Sequence, residues 1–363
     1  MGEHRPRGRS EELGDQLTWG ALRPGLVGAD GHDVAARHEG GQESPRVRPS
    51  VAPTRAERPT VEGTAHTLLD GEALYEITET RISYHRGDTA GQARIEAVLP
   101  AGAGRWAVVT DATPFHPVDA AWPDQPGDHG DLTVGDQVTP VVDTQILTFR
   151  PADGAVSIGP EVTARRGDTE HVFAVAHLIV KQPEESWIGR TVELTVDDHR
   201  RRWLSAAHTG CHLVAYAFNE ATDELWSKDA PRDSRGSRNF DAAALIDSRH
   251  DLGSSVDRYR LGKSLRRKGF DHARMLADLD SYLARANDLL ASWVAADAPV
   301  HLTGSSDTFT AQRVWRCEIS PVATMPCGGT HVSSLGQLRS IQIRADYRES
   351  EKEMHLVAAS LPR

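Results

Sequence analysis

The sequence predicts an α+β protein: a small N-terminal β-barrel followed by an α+β half, with a disordered tail in front. Three observations predict it. Short apolar runs broken by Gly, Pro and Asp fill residues 73–196. Helical spacing governs residues 203–221 and 270–294. The first 64 residues follow neither period. On this reading the tail is 1–64, the barrel domain 65–198 and the α+β, metal-binding domain 199–361, a sensible division of 363 residues.

The tail is rich in Arg, Glu, Gly and Pro and holds one aromatic, Trp19, so it buries too little apolar surface to offset its ordering entropy. In the barrel, residues 73–84, 94–99, 105–110, 138–149, 172–180 and 191–196 read as strands. The breaks fall at Arg86-Gly87-Asp88, Pro100-Ala101-Gly102 and Pro151-Ala152-Asp153-Gly154, where turn residues are expected. Thr191-Val192-Glu193-Leu194-Thr195-Val196 alternates as a strand with one wet face should. Residues 203–221 carry few helix breakers, and in 270–294 Met275, Leu276, Leu279, Tyr282, Leu283, Ala286, Leu289, Leu290 and Trp293 form an apolar stripe. Residues 300–302, 308–319, 337–344 and 354–358 read as further strands.

Composition narrows the function. No stretch approaches the ~18 apolar residues of a membrane span, and the longest candidate, 171–180, carries two histidines. Met1-Gly2-Glu3-His4-Arg5-Pro6-Arg7 leads into no apolar region, so no secretory leader is expected. Three cysteines are too few for a disulfide framework and suit a reducing cytoplasm. A net charge of −11 disfavours nucleic acid unless a local basic patch exists. Two patches qualify. Residues 256–274 contain Arg258, Arg260, Lys263, Arg266, Arg267, Lys268 and Arg274 against Asp257 and Asp271, on what reads as a connection before the long helix. Arg200-Arg201-Arg202 is the other; each patch reads equally as solvated surface charge.

His208-Thr209-Gly210-Cys211-His212 opens an apolar helical run, so both imidazoles can face one ion. With 17 histidines, chance alone predicts ~0.8 such pairs. Cys327-Gly328-Gly329-Thr330-His331 is rarer, since chance predicts only ~0.14 Cys-x-x-x-His pairs. Three imidazoles and a thiolate suit zinc, either structural with four protein ligands or catalytic with an open position. Separation of the two halves by about 115 residues favours a cleft site over a zinc finger. A His-Glu-x-x-His peptidase is disfavoured because Thr209 stands where its glutamate would be. Cys211 reads as helix packing.

These motifs, with Pro326-Cys327-Gly328-Gly329-Thr330-His331-Val332 and Ser334-Leu335-Gly336-Gln337-Leu338, resemble the editing domain of alanyl-tRNA synthetase. They also resemble the free-standing alanyl-tRNA editing proteins of the AlaX type and, more distantly, the editing domain of threonyl-tRNA synthetase. Thr113-Pro114-Phe115-His116-Pro117, Gln125-Pro126-Gly127-Asp128-His129-Gly130 and Val141-Val142-Asp143-Thr144-Gln145 extend the resemblance over residues 69–358. It implies a β-barrel ahead of an α+β editing domain, and a zinc hydrolase that cleaves the ester of mischarged tRNA, Ser- or Gly-tRNA(Ala). It also implies zinc ligands His208, His212, Cys327 and His331, with Gln125 in the place of the family's loop glutamine and Thr209 and Thr330 beside the metal; these three are candidate catalytic or polar partners, and the basic patches are candidate tRNA contacts. One departure stands out. The family's loop reads approximately Pro-Glu-Gly-Gly-Gly-Gln, whereas here Val118-Asp119-Ala120-Ala121-Trp122-Pro123-Asp124 separates Pro117 from Gln125. The alternatives are a related zinc enzyme acting on a nonstandard aminoacyl-tRNA ester, and a non-catalytic tRNA-binding module with structural zinc.

Overall fold

A computed structural model describes residues 76–363. The expected tail, and the start of the strand expected at 73–84, lie outside the described residues; among the described residues of that run only Arg81–Ile82 forms a strand, paired in parallel with Ala112–Thr113.

Eight strands form one sheet, in the order Gln137–Val141, Gly130–Val134, Thr191–Val196, Ala90–Pro100, Trp106–Thr110, Val172–Ile179, Asp143–Arg150 and Ala155–Ile158. Every pairing is antiparallel. The expected barrel does not close. Among the described residues no ladder joins the two outer strands, and one of these carries Pro140, which has no N–H to give to a further neighbour. The run expected as a single strand at 138–149 is two strands that meet at Val142. Core residues such as Ile95, Val108, Leu132 and Val192 pack in one cluster, and Ala97, Val109, Leu147 and Leu178 in another, so successive strand residues serve different clusters.

The helix α1 (Asp198–Ala221) follows that sheet. Asp197 caps it by accepting from the Arg200 amide at 3.0 Å, which starts the helix five residues earlier than expected. The arginine triplet is therefore its first turn and not a leading turn. Further helices are α2 (Phe240–Ala244), α3 (Lys263–Lys268), α4 (His272–Ala277) and α5 (Leu279–Ala295). The single helix expected over 270–294 is broken at Asp278, whose φ of −134° and ψ of 38° leave the helical region. The stripe nevertheless faces inward as read: Met275, Tyr282, Ala286, Leu290 and Trp293 are buried with Leu213, Ala217 and Phe218 of α1.

Helices α1 and α5 pack against a four-stranded antiparallel sheet ordered Leu245–Asp251, Ser254–Arg260, Glu353–Pro362 and Leu338–Arg348. The second of these strands, with α3 after it, takes the place of the connection expected around 256–274. A three-stranded sheet, Val300–Gly304, Arg313–Cys317 and Ala323–Pro326, leads into the second metal motif; the strand expected at 308–319 is confined to its middle. Gly210 fits α1 to the sheet, since a Cβ there would lie 1.8 Å from Ser360 Oγ.

Candidate metal centre

The two motifs meet. His208 and His212 lie one turn apart on buried α1, while Cys327 and His331 lie on the segment after Ala323–Pro326. One ligand atom from each of the four residues falls within 4.8 Å of all the others. Cys327 Sγ is 3.4 Å from His208 Nε2 and 3.2 Å from His331 Nε2. Zinc bonds of ~2.0–2.3 Å in a tetrahedron put ligand atoms about 3.3–3.8 Å apart, so these spacings suit the ion. His212 Nε2 is buried with no hydrogen-bond partner, a donor atom for which the protein provides no use of its own. Burial holds His208 and His331 well below the ordinary imidazole range and His212 down at about 3, so all three present neutral lone pairs. Burial pushes the Cys327 thiol up to about 12, and a cation would reverse that preference by taking the thiolate. The residues present fit zinc.

Around these four lies a hydrogen-bonded shell. The Gln125 side-chain carbonyl lies 2.6 Å from His208 Nδ1 and accepts from the Thr330 amide at 3.1 Å. Its amide group donates to Thr330 Oγ1 at 2.8 Å, which also accepts from Ser205 Oγ at 2.9 Å. The Thr209 hydroxyl lies 3.1 Å from His331 Nδ1 and accepts from the Val332 amide. Such partners fix ring orientation and leave Nε2 for the ion. Gly329 is required by contact: a Cβ would meet His208 Cε1 at 2.2 Å.

Arg201 is not a surface residue. It is buried against Asp128, donating through Nε at 3.0 and 3.1 Å to the two carboxylate oxygens, with a further bond from Nη2. Nη2 also donates to the Pro114 carbonyl at 2.7 Å, and Asp128 accepts from the His116 amide at 2.6 Å. This buried pair ties the 114–128 loop to α1 and so sets Gln125 over His208; it cannot contact RNA from there. Arg200 is half-buried and reaches the Gly127 carbonyl, while Arg202 is exposed. In the second patch, Arg258 is paired with Asp247 and Glu353 at 2.9 Å each, and Arg260 with Glu353 at 3.2 Å. The positive surface is thus narrower than the sequence suggests, and centres on exposed Lys263, Arg266, Arg267 and Lys268 of α3. Cys211 packs against the buried Ser248 and Asp257 and points at neither motif partner.

Three nearby residues had no motif to announce them. Asp124 Oδ2 is 3.9 Å from His208 Nε2, the His250 ring lies tilted with its centroid 4.6 Å from that of His208, and Ser205 supports Thr330. Asp124 was detectable only as an acidic residue within the departing loop. Nothing in the sequence points to His250.

A His/Cys centre of four convergent ligands, built on a helix and a Cys-Gly-Gly-Thr-His segment, defines the chain's class as a candidate zinc protein. Comparison with known proteins adds the company it keeps. No family model matches the chain. It is 25% identical over 288 residues to the alanine–tRNA ligase of Halobacterium salinarum, covering 75% of this chain and 25% of the relative. It is 28% identical over 178 residues to that of Parafrankia sp., covering 47% and 18%, and 31% identical over 160 residues to that of Anaeromyxobacter sp., covering 42% and 15%. The chain is thus distantly similar to part of alanine–tRNA ligases, and spans a quarter or less of the length of each of these relatives. Among the described residues no helix is long and apolar enough to cross a membrane.

Proposed function

We propose that this protein is a trans-acting, zinc-dependent aminoacyl-tRNA deacylase of the alanyl-tRNA editing type, working in the cytoplasm on the ester of Ser- or Gly-tRNA(Ala). The carrying observation is the convergence of His208, His212, Cys327 and His331 within 4.8 Å in a chain similar to alanine–tRNA ligases. In this reading residues 65–198 accept the acceptor end and 199–361 hold the metal. Zinc bound at this centre supplies Lewis-acid polarisation of an ester carbonyl or of a water.

The protein's own groups do the rest. Gln125 and Thr209 hold His208 and His331 in the tautomer that offers Nε2 to the ion. Thr330 presents a hydroxyl beside them for the substrate's polar atoms. The loop that ends at Gln125 walls the centre, and Trp122 on it, 46% exposed, offers a stacking face to the terminal base. Lys263, Arg266, Arg267 and Lys268 meet the phosphate backbone.

A second reading, a tRNA-binding module with structural zinc, is favoured by one feature: four protein ligands already complete a tetrahedron. His208→Ala separates the two. Loss of ester cleavage with tRNA binding and circular dichroism retained supports the deacylase. Undiminished cleavage contradicts a catalytic centre at His208, and tRNA binding by a wild-type protein that cleaves no ester supports the module.

A further inference from the structure

Beside the four ligands lies a pair of polar groups that the function above does not use. Asp124 belongs to the segment that replaces the glycine-rich loop, and its side chain is only 17% exposed. Its Oδ1 accepts from the Gln125 amide at 2.7 Å, and its Oδ2 lies 3.9 Å from His208 Nε2. His250 comes from the strand Leu245–Asp251, and its amide donates to the Asp124 carbonyl at 2.8 Å, tying strand and loop together. One ligating atom each from Asp124, His208 and His250 lies within 4.8 Å of the other two. His250 is 6% exposed; its Nε2 lies 3.4 Å from Ser248 Oγ, and its Nδ1 is buried without a hydrogen-bond partner. With the proton on Nε2 facing Ser248, Nδ1 presents a bare lone pair.

We infer that Asp124 and His250 form an acceptor subsite beside the metal centre that takes the α-ammonium group of the aminoacyl ester. This rests on the deacylase reading and adds to it the group that recognises the amino acid. A carboxylate oxygen and an imidazole lone pair are acceptors, and what they jointly take is a cation that carries donors. An ester carbonyl or a phosphate has only acceptors and is repelled. The α-nitrogen is two bonds from the ester carbonyl carbon, so a carbonyl held at His208, His212, Cys327 and His331 brings the ammonium to the neighbouring wall, where Asp124 stands. A second divalent cation shares the acceptor chemistry and is the rival occupant.

The test is calorimetric binding of two non-hydrolysable probes to the zinc-bound protein: 3′-deoxy-3′-(glycylamino)adenosine and 3′-deoxy-3′-(acetylamino)adenosine, which differ only by the amine. Metal content is measured on the same samples. Wild-type protein is expected to bind the glycyl probe about tenfold tighter or more. Asp124→Asn should cut that ratio to about threefold or less, with acetyl-probe affinity unchanged, and His250→Gln should reduce it in the same direction. Thermal melts confirm that each variant is folded, and the wild-type ratio stands without any variant. Equal wild-type binding of both probes, or an undiminished ratio in Asp124→Asn, removes the subsite and leaves the deacylase reading in place. A second metal in the wild type that disappears in Asp124→Asn assigns the acceptors to an ion and overturns the inference. Binding of neither probe counts against the deacylase reading and takes the subsite with it.

Discussion

Replacing Gly329 with alanine puts a methyl group where the metal centre has no room. The new Cβ would lie 2.2 Å from His208 Cε1, 2.4 Å from His208 Nδ1 and 2.7 Å from Gln125 Oε1. Ordinary contact begins near 3.4 Å, so the imidazole must retreat by about 1 Å. It has nowhere to go: His208 is 2% exposed on a buried helix, and Gln125, 1% exposed, is held by Thr330. Overpacking of this kind costs about 1–3 kcal/mol, several degrees of melting temperature in a unit of this size. A ligand turned off axis should also weaken zinc binding by about tenfold or more, the scale seen when the shell around a metal is disturbed. Gly328→Ala is the control, because its nearest neighbour would be Arg166 Nη1 at 3.6 Å, and it should stay within about 0.5 kcal/mol of wild type. Thermal melts and competition against a chromophoric chelator read both quantities. Wild-type stability and metal affinity in Gly329→Ala would refute the packing argument, as would equal damage from both substitutions.

Gln125→Ala removes the acceptor beside His208 Nδ1 and both hydrogen bonds between Gln125 and Thr330; zinc affinity should fall by about 10- to 100-fold in the same chelator competition, more than the melting temperature suggests. Asp257 is buried under α1, and desolvation, aided by Asp241, holds its carboxyl up at about 7. Between pH 4 and 7 the unfolded chain has lost this proton and the native one keeps it, so this group's contribution to stability falls as pH rises through that window and then levels. Asp257→Asn should therefore gain stability relative to wild type from pH 4 to pH 8, by an amount on the order of 1–4 kcal/mol in urea unfolding; a difference independent of pH would contradict the assignment. Arg266→Glu with Arg267→Glu should weaken tRNA binding and flatten its salt dependence, while unchanged affinity would remove α3 from the interface.

The four candidate ligands stand out in the sequence because each pair is local. His208 and His212 announce a helix face, and Cys327-Gly328-Gly329-Thr330-His331 announces a turn with two donors. Their meeting was not legible from spacing, since it depends on a sheet that returns residue 327 to the face of α1. The arginine triplet shows the same limit. Three consecutive residues on a helix point about 100° apart and need not share one environment, and which one turns inward depended on Asp128, more than 70 residues earlier in the chain. The strands Leu245–Asp251 and Ser254–Arg260 were missed for a different reason. The residues they bury include Ser248, His250, Ser255 and Asp257, so the apolar alternation that marks a strand is absent. Alternation marked strands such as Thr191–Val196 but overran at 73–84, 138–149 and 308–319, and it carried no information about closure, so the barrel reading failed at the two unpaired edges. Asp124 and His250 belong to the same class as Asp128: chemistry assembled by folding, with no local pattern.

Deacylation of a panel of aminoacyl-tRNAs by the purified protein, with and without a zinc chelator, tests the central claim most directly. The account predicts chelator-sensitive release of the amino acid from Ser- or Gly-tRNA(Ala), with correctly charged Ala-tRNA(Ala) spared. A zinc-bound protein that cleaves no ester in the panel, or cleaves equally after its zinc is removed, would contradict it.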